Sequence, residues 1–273
     1  MAGAPLDVRP LFPVDRSALL DLLTALDQAD WRRPTVCPGW DVHDLVAHLL
    51  HDHLRRLSGG RDGHPGSPFG PGETLPRFIT RTNEDFVRVS RQLSPRMLTD
   101  LPATLGPRLD DFWAGLDPAA PAGLDVSWAA LGAPAPNWLD TAREYTEFWV
   151  HQQQIRDAVE RPGATGPELL HPVLDTFVRA LPHTLCAHPA HGGATVRVLL
   201  PVRAAGRGRR YATATTGRSA PPPPRTTTPP TRRPRRSSSP RTRCGGWPRA
   251  GSPRGRRGAG PRCAGTRSWR GPR

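Results

Sequence analysis

The chain has 273 residues, a formal net charge of +14, 34 Pro, 27 Gly, 4 Cys and only 2 Met. That length suits one or two domains, but 36% hydrophobic and 6% aromatic residues are too few to pack all of it. No apolar run reaches the roughly 18 residues that a membrane helix needs, and the opening MAGAPLDVRP lacks the basic start and apolar stretch of a secretory signal, so the sequence reads as a cytoplasmic protein with no membrane partner.

Helical patterns dominate the first 200 residues. Leu19, Leu20, Leu22, Leu23 and Leu26 recur at helical spacing and predict a helix to about Ala29, with Asp15 or Ser17 as its cap. Pro34 and Pro38–Gly39 make a loop. Asp41 then caps a second helix that runs to about Leu57, with Asp44 in its first turn, an apolar stripe of Leu45, Val46, Leu49, Leu50 and Leu54, and Gly59–Gly60 as its stop. After a Gly/Pro loop over 58–76, a third helix spans about Leu75–Leu93. Ser94–Pro95 opens a fourth to about Leu116. Asn137 is read as the cap of a long helix to about Glu160, stopped by Pro162–Gly163. One more helix, about Pro167–Leu185, precedes a strand at Thr195–Leu200. The fold class is mainly α: a helical bundle over 12–162, followed by a short α/β segment over 163–203.

The charge divides sharply. Residues 1–203 carry 19 Arg against all 24 acidic residues, a net of −5, whereas residues 204–273 carry 19 Arg and no acid. This second stretch also lacks Val, Leu, Ile, Met and Phe, so no core offsets the ordering entropy of about 1–2 kcal/mol per residue. It reads as a disordered Arg/Pro/Gly-rich tail. With no Lys anywhere, it has the composition that a shifted reading frame in a GC-rich gene would give. A functional tail of this kind would bind nucleic acid nonspecifically through phosphate.

The chemistry gathers on three residues. Glu147 and His151 stand four apart on one helix face and can converge on one ion. His48 lies in mid-helix beside the Leu45–Leu49 stripe and points inward, where an imidazole needs a partner. Two imidazoles and a carboxylate with an open fourth position make a catalytic zinc set, without excluding Ni²⁺, Fe²⁺ or Mn²⁺. Spacing alone leaves open that Glu147 is a solvated surface residue and His48 a hydrogen-bonded core histidine. Asp44 and Asp52, at i−4 and i+4 from His48, could orient its other nitrogen or merely solvate the helix. Of His43, His51 and His53, most are expected to face solvent, with His51 the one neighbour within reach of the site. Cys37 reads as core or loop packing, and Cys186, Cys244 and Cys263 as free thiols. Trp40, Trp113, Trp138 and Trp149 read as packing residues.

The block from Trp31 to Trp40, WRRPTVCPGW, followed by DVHDLVAHLL with His48, resembles the opening of the mycothiol-dependent maleylpyruvate isomerase N-terminal domain, a DinB-like (YfiT-like) four-helix metal-binding bundle. The segment from Glu144 to Val159, containing Glu147 and His151, resembles that family's metal helix. The resemblance covers roughly residues 12–200. It implies His48, Glu147 and His151 as ligands of a divalent metal, zinc in the first place, and mycothiol as the thiol cosubstrate. It further implies that the thiol is held as thiolate and added to a small electrophile. In the isomerase the addition lets a cis double bond rotate before the thiol leaves; in related transferases the thiol stays on the product. Two departures stand out. Many members carry Asp where this chain has Gln154, and only the start of the family's C-terminal α/β domain is recognisable. Both bear on the alternative, a non-catalytic metal-binding bundle serving as a binding or regulatory module. No catalytic or thiol-binding side chain is assigned from sequence.

Overall fold

The computed structural model describes residues 5–123, 135–181, 185, 195–203 and 209–217. The chain divides into two compact units, 1–227 and 228–273, and every described residue belongs to the first. Six α-helices are present among them: α1 Leu11–Thr24, α2 Val42–Arg55, α3 Leu75–Ser90, α4 Pro95–Gly115, α5 Asn137–Ala158 and α6 Pro167–Arg179. Helices α1, α2, α4 and α5 form the four-helix bundle: α1 and α2 each pack on both α4 and α5, while α3 lies outside on α2 and α6 outside on α5.

Helix α2 is the centre of the core. Its cap is the one expected, Asp41 Oδ1 accepting from the Asp44 backbone N–H at 3.0 Å. Val42, Leu45, Val46, Leu49 and Leu50 are all buried, each contributing about 1.5–3 kcal/mol from the area removed from water. The helix then widens into a π turn over Arg56–Arg61, so it does not end cleanly at Leu57. The turn carries Arg56 inward. Its guanidinium donates to Asp140 at 2.7 and 3.0 Å and to Glu144 at 2.5 Å, all three side chains buried. Removing one member of such a cluster strands the other charges in the core.

Several boundaries differ from the sequence reading. Helix α1 begins at Leu11 because Pro13 falls in its first turn, where the missing N–H has no partner to lose. It ends at Thr24 rather than Ala29, since Asp27 Oδ1 accepts from the Asp30 N–H at 2.8 Å and closes a turn instead. Asp15 is no cap: it is buried in mid-helix, its Oδ1 accepting from Gln152 Nε2 on α5 at 2.8 Å. Ser94 does cap α4, at 3.3 Å from the Met97 N–H. Gly106, in that helix, leaves room for Arg16 of α1 to reach Asp110; a Cβ there would overlap the Arg16 side chain. Asn137 is the first residue of α5 and Pro136 its cap position; the Asn137 amide instead donates to the Asp117 carbonyl at 2.9 Å. Helix α3 stops at Ser90, short of Leu93; α6 runs to Arg179, and Leu181 and Leu185 beyond it are again helical.

The expected strand is present as β1, Thr195–Arg203. It pairs antiparallel with β2, Arg209–Gly217, in a register running from Thr195↔Gly217 to Arg203↔Arg209. Residues 209–217 are therefore not the unpaired start of a tail at 204. Tyr211 and the threonines at 213, 215 and 216 suit a strand, and β1 offers them a backbone ladder, which composition alone did not reveal. Residues 218–273, with Cys244 and Cys263, lie outside the described residues, as does Cys186.

The burial of Asp15 has a measurable consequence. Burial pushes its carboxyl up to about 7, against the pull of Arg156, Arg16 and the Gln152 hydrogen bond. The folded protein thus holds this proton more tightly than the unfolded chain, where Asp titrates near 3.9. The favourable contribution is complete below about pH 4 and is lost as the pH rises toward 7. Asp15→Asn keeps the acceptor oxygen and removes the charge. Its stability advantage over wild type in urea unfolding should grow by about 2 kcal/mol between pH 5 and pH 8; an advantage that does not change with pH would contradict the assignment.

Candidate functional site

Helices α2 and α5 run antiparallel, since His48 meets Glu147 and His151 whereas Arg56, two turns later, meets Asp140 and Glu144. Where they face each other, the three residues singled out from the sequence come together. Glu147 Oε1 lies 3.0 Å from His151 Nε2 and 3.4 Å from His48 Nε2. The two imidazole rings stand edge to face, 4.8 Å between centroids. One donor atom from each residue falls within 4.8 Å of the others. Donors about 2 Å from one tetrahedral ion stand roughly 3.3 Å apart, so this set needs little movement to hold one. The His48 side chain is 5% exposed and that of Glu147 49% exposed, so the cluster is dry on the α2 side and open beside the carboxylate.

The loop before α2 walls the site. Cys37-Pro38-Gly39-Trp40 is a type II turn: the Trp40 N–H donates to the Cys37 carbonyl at 3.1 Å, and Gly39 supplies the positive φ of +83° that the third position requires. Thr35 Oγ1 braces it, donating to the Trp40 carbonyl at 2.9 Å and accepting from the Cys37 N–H at 3.1 Å. The turn presents two side chains. The Trp40 ring lies 5.3 Å from that of His48. Cys37 Sγ donates to Gln154 Oε1 at 3.3 Å, and the same oxygen lies 2.7 Å from His151 Nδ1. Neither role was read from sequence. From sequence Cys37 reads only as core or loop packing and Gln154 only as a departure from the family's Asp, because contacts between residue 37 and residue 154 depend on how the turn docks on α5.

The other histidines differ from expectation. His43 and His53 are buried, not solvated. His43 Nε2 donates to the Leu93 carbonyl at 2.9 Å, and His53 Nδ1 to the Leu49 carbonyl at 2.8 Å with its ring edge-on to Phe148. Both are core histidines, His43 edge-on to Trp31 and His53 beside Phe12, Leu19 and Leu109, though His43 Nδ1 is left without a partner. His51 stacks on Phe86 and hydrogen-bonds Asn83 of α3 at 3.1 Å, and so is held away from the cluster. Asp44 is bound in bidentate fashion by Arg91, not by His48. Asp52 does approach His48, 3.6 Å from Nε2, but at the nitrogen that faces Glu147; His48 Nδ1 is buried without a partner. Asp41, His43 and Asp44 form a second close group, yet its members are engaged by the helix cap, Arg32, Leu93 and Arg91. A cavity of about 160 Å³ lies near the start of α5, lined by Leu6, Val8, Trp113, Trp138 and others, none of them in the His48 cluster.

The model of the mycothiol maleylpyruvate isomerase N-terminal domain family matches residues 15–156. The chain belongs to this family. Two crystal structures of the mycothiol-dependent maleylpyruvate isomerase, one of them a point mutant, are similar at 17% identity and a TM-score of 0.47 (the mutant) and 19% and 0.44. The alignments cover 68% of this chain and 72% of that one for the mutant, and 62% and 65% for the other. No curated protein matches. Among the described residues, no helix is long and apolar enough to cross a membrane.

The cluster sets its own protonation. Burial by itself would raise the Glu147 carboxyl, but the hydrogen bonds and charges of His151 and His48 outweigh it and hold the group well below the usual range. Burial would lower His151, yet its contacts with Cys37, Glu147 and Gln154 carry it up to about 10. In the metal-free protein the His151 ring should therefore titrate well above the ordinary histidine range in a pH series of ¹H–¹⁵N spectra, and Glu147→Gln should bring it down by a unit or more, on the order of one ion pair's effect. Titration near 6.5 in both proteins would contradict the ion-paired arrangement.

Proposed function

We propose that the protein is a mycothiol-dependent isomerase or S-transferase in which His48, Glu147 and His151 hold a divalent metal, zinc in the first place. The observation that carries this reading is the convergence of His48 Nε2, Glu147 Oε1 and His151 Nε2 from two helices. The donor set fits the group: two imidazoles and one carboxylate suit zinc and leave a position open. Bound there, the metal supplies Lewis acidity that favours thiolate over thiol at neutral pH.

The chain's own residues do the rest. Glu147, ionised and half exposed, stands at the open side where small molecules enter. Trp40 covers His48 and keeps water from that side. Addition of the thiolate sulfur to one alkene carbon of a cis-unsaturated electrophile turns the double bond into a single bond, with the electron pair passing to the conjugated carbonyl. Rotation and loss of the sulfur return the electrons to a trans double bond and release the thiol. In a transferase the adduct takes a proton and keeps the sulfur. The domain reading, a bundle over 12–162 followed by a partial α/β segment over 163–203, belongs to this proposal.

Purified protein supplied with mycothiol should convert maleylpyruvate, the substrate named for the family, to its trans isomer, or form a stable adduct with a related electrophile. Removing the metal with a chelator should abolish turnover. His151→Ala should lose both metal and at least about 100-fold in rate, beyond what loss of an outer-shell partner costs; His51→Ala should lose neither. Metal bound without thiol-dependent turnover would leave the non-catalytic binding module as the reading, and protein without metal would remove both.

A further inference from the structure

Gln154 follows His151 by three residues, and its side chain turns back onto the ring. Gln154 Oε1 lies 2.7 Å from His151 Nδ1 and accepts from Cys37 Sγ–H at 3.3 Å. A carbonyl oxygen only accepts, so with this oxygen facing the ring, Nδ1 carries the proton. A neutral imidazole protonated on Nδ1 has its lone pair on Nε2, the nitrogen that faces Glu147 and His48. An amide can present its NH₂ instead, and that orientation would force the proton onto Nε2 and spoil the ligand. Cys37 favours the first: with the oxygen in this place its thiol donates to it, whereas an NH₂ there would find in the sulfur only a weak acceptor, and the Pro38–Gly39 turn and Thr35 fix where that thiol sits.

The geometry points to a Cys37–Gln154–His151 relay in which Gln154 is a positioning residue that fixes the His151 tautomer and Cys37 fixes the orientation of Gln154. The inference rests on the reading of His151 as a metal ligand. It adds a consequence for the reaction. A carboxylate at this place would draw the Nδ1 proton and make the imidazole a stronger, more negative donor. The neutral amide orients the ring without adding charge, so a divalent ion with Glu147 as its one anionic ligand keeps a net positive charge. That surplus favours an anionic fourth ligand, a thiolate, over water. Gln154 thus trades metal affinity for affinity toward the thiolate.

The test uses the full-length protein with zinc, a competing chelating dye, and ¹H–¹⁵N spectra of the histidine rings with and without zinc. In wild type, Nδ1 of His151 should carry the proton with zinc bound, where Nε2 is the ligand; the metal-free ring, protonated on both nitrogens below its titration, is the reference. Gln154→Leu should lower zinc affinity about 10–100-fold with little change in the thermal transition. Cys37→Ala should lower it by roughly 2–10-fold, the worth of one hydrogen bond, and Cys37→Ser should restore it. Gln154→Glu should raise zinc affinity while weakening the binding of a small thiol to the cobalt-substituted protein; this variant keeps the acceptor and serves if Gln154→Leu does not fold. An unprotonated Nδ1 in wild type, or unchanged zinc affinity in both Gln154 variants, overturns the relay. Absence of zinc binding by wild type overturns the proposed function instead; the metal-free ring spectrum of Cys37→Ser, recorded above the titration of the ring where the imidazole is neutral and the serine hydroxyl still donates, then decides the relay by itself.

Discussion

The antiparallel register of α2 against α5 is the constraint on which the site depends. His48 faces Glu147 and His151 only if eight residues further along Arg56 faces Asp140 and Glu144. The Arg56 cluster is fully buried, with the guanidinium also over the Trp113 ring at 5.2 Å. A shift of one residue would leave three charges in the core without partners, a cost of several kcal/mol per ion. Apolar side chains at helical spacing tolerate sliding, because one leucine replaces another. A bidentate guanidinium–carboxylate contact does not. The π turn at Arg56–Arg61 belongs to this device, since it carries Arg56 inward just past the regular part of α2.

A polar path continues from that cluster toward the site. Arg55 donates to Asp52 at 2.9 Å and approaches Glu144 at 3.9 Å, and Asp52 lies 3.6 Å from His48 Nε2. The site is thus bounded by ionised groups on one side and by the neutral Cys37–Gln154 pair on the other. This asymmetry leaves His151 with a carboxylate on its Nε2 side, from Glu147, and an amide at Nδ1.

Much of this was legible in the sequence, for identifiable reasons. Helix α2 was readable because its cap, its first-turn acid and its leucine stripe all agree. That His48, Glu147 and His151 could meet was legible in a four-residue spacing on one helix and an inward-facing histidine on another, which are local patterns; their reading as ligands came from the family resemblance. What was missed depends on tertiary contacts. The burial of His43 and His53 depends on residues far along the chain, Leu93 beside one and Phe148 beside the other. Asn137 looked like a cap, but the backbone turn at Pro136 had already taken that position. Strand β2 was hidden inside an arginine- and glycine-rich stretch, where pairing with β1 outweighs composition. Gln154 looked like a defect because its partner, Cys37, is 117 residues away.

The central claim is that three side chains from two helices hold one metal ion with a position free for a thiol. X-ray absorption at the zinc edge of the loaded protein addresses it most directly. The account predicts only nitrogen and oxygen neighbours at about 2.0–2.1 Å, with outer-shell scattering from two imidazoles. Adding a small thiol should introduce one sulfur at about 2.3 Å without loss of either imidazole. A single imidazole, or a sulfur present before any thiol is added, would contradict the account; the latter would make Cys37 a ligand and the relay to Gln154 untenable.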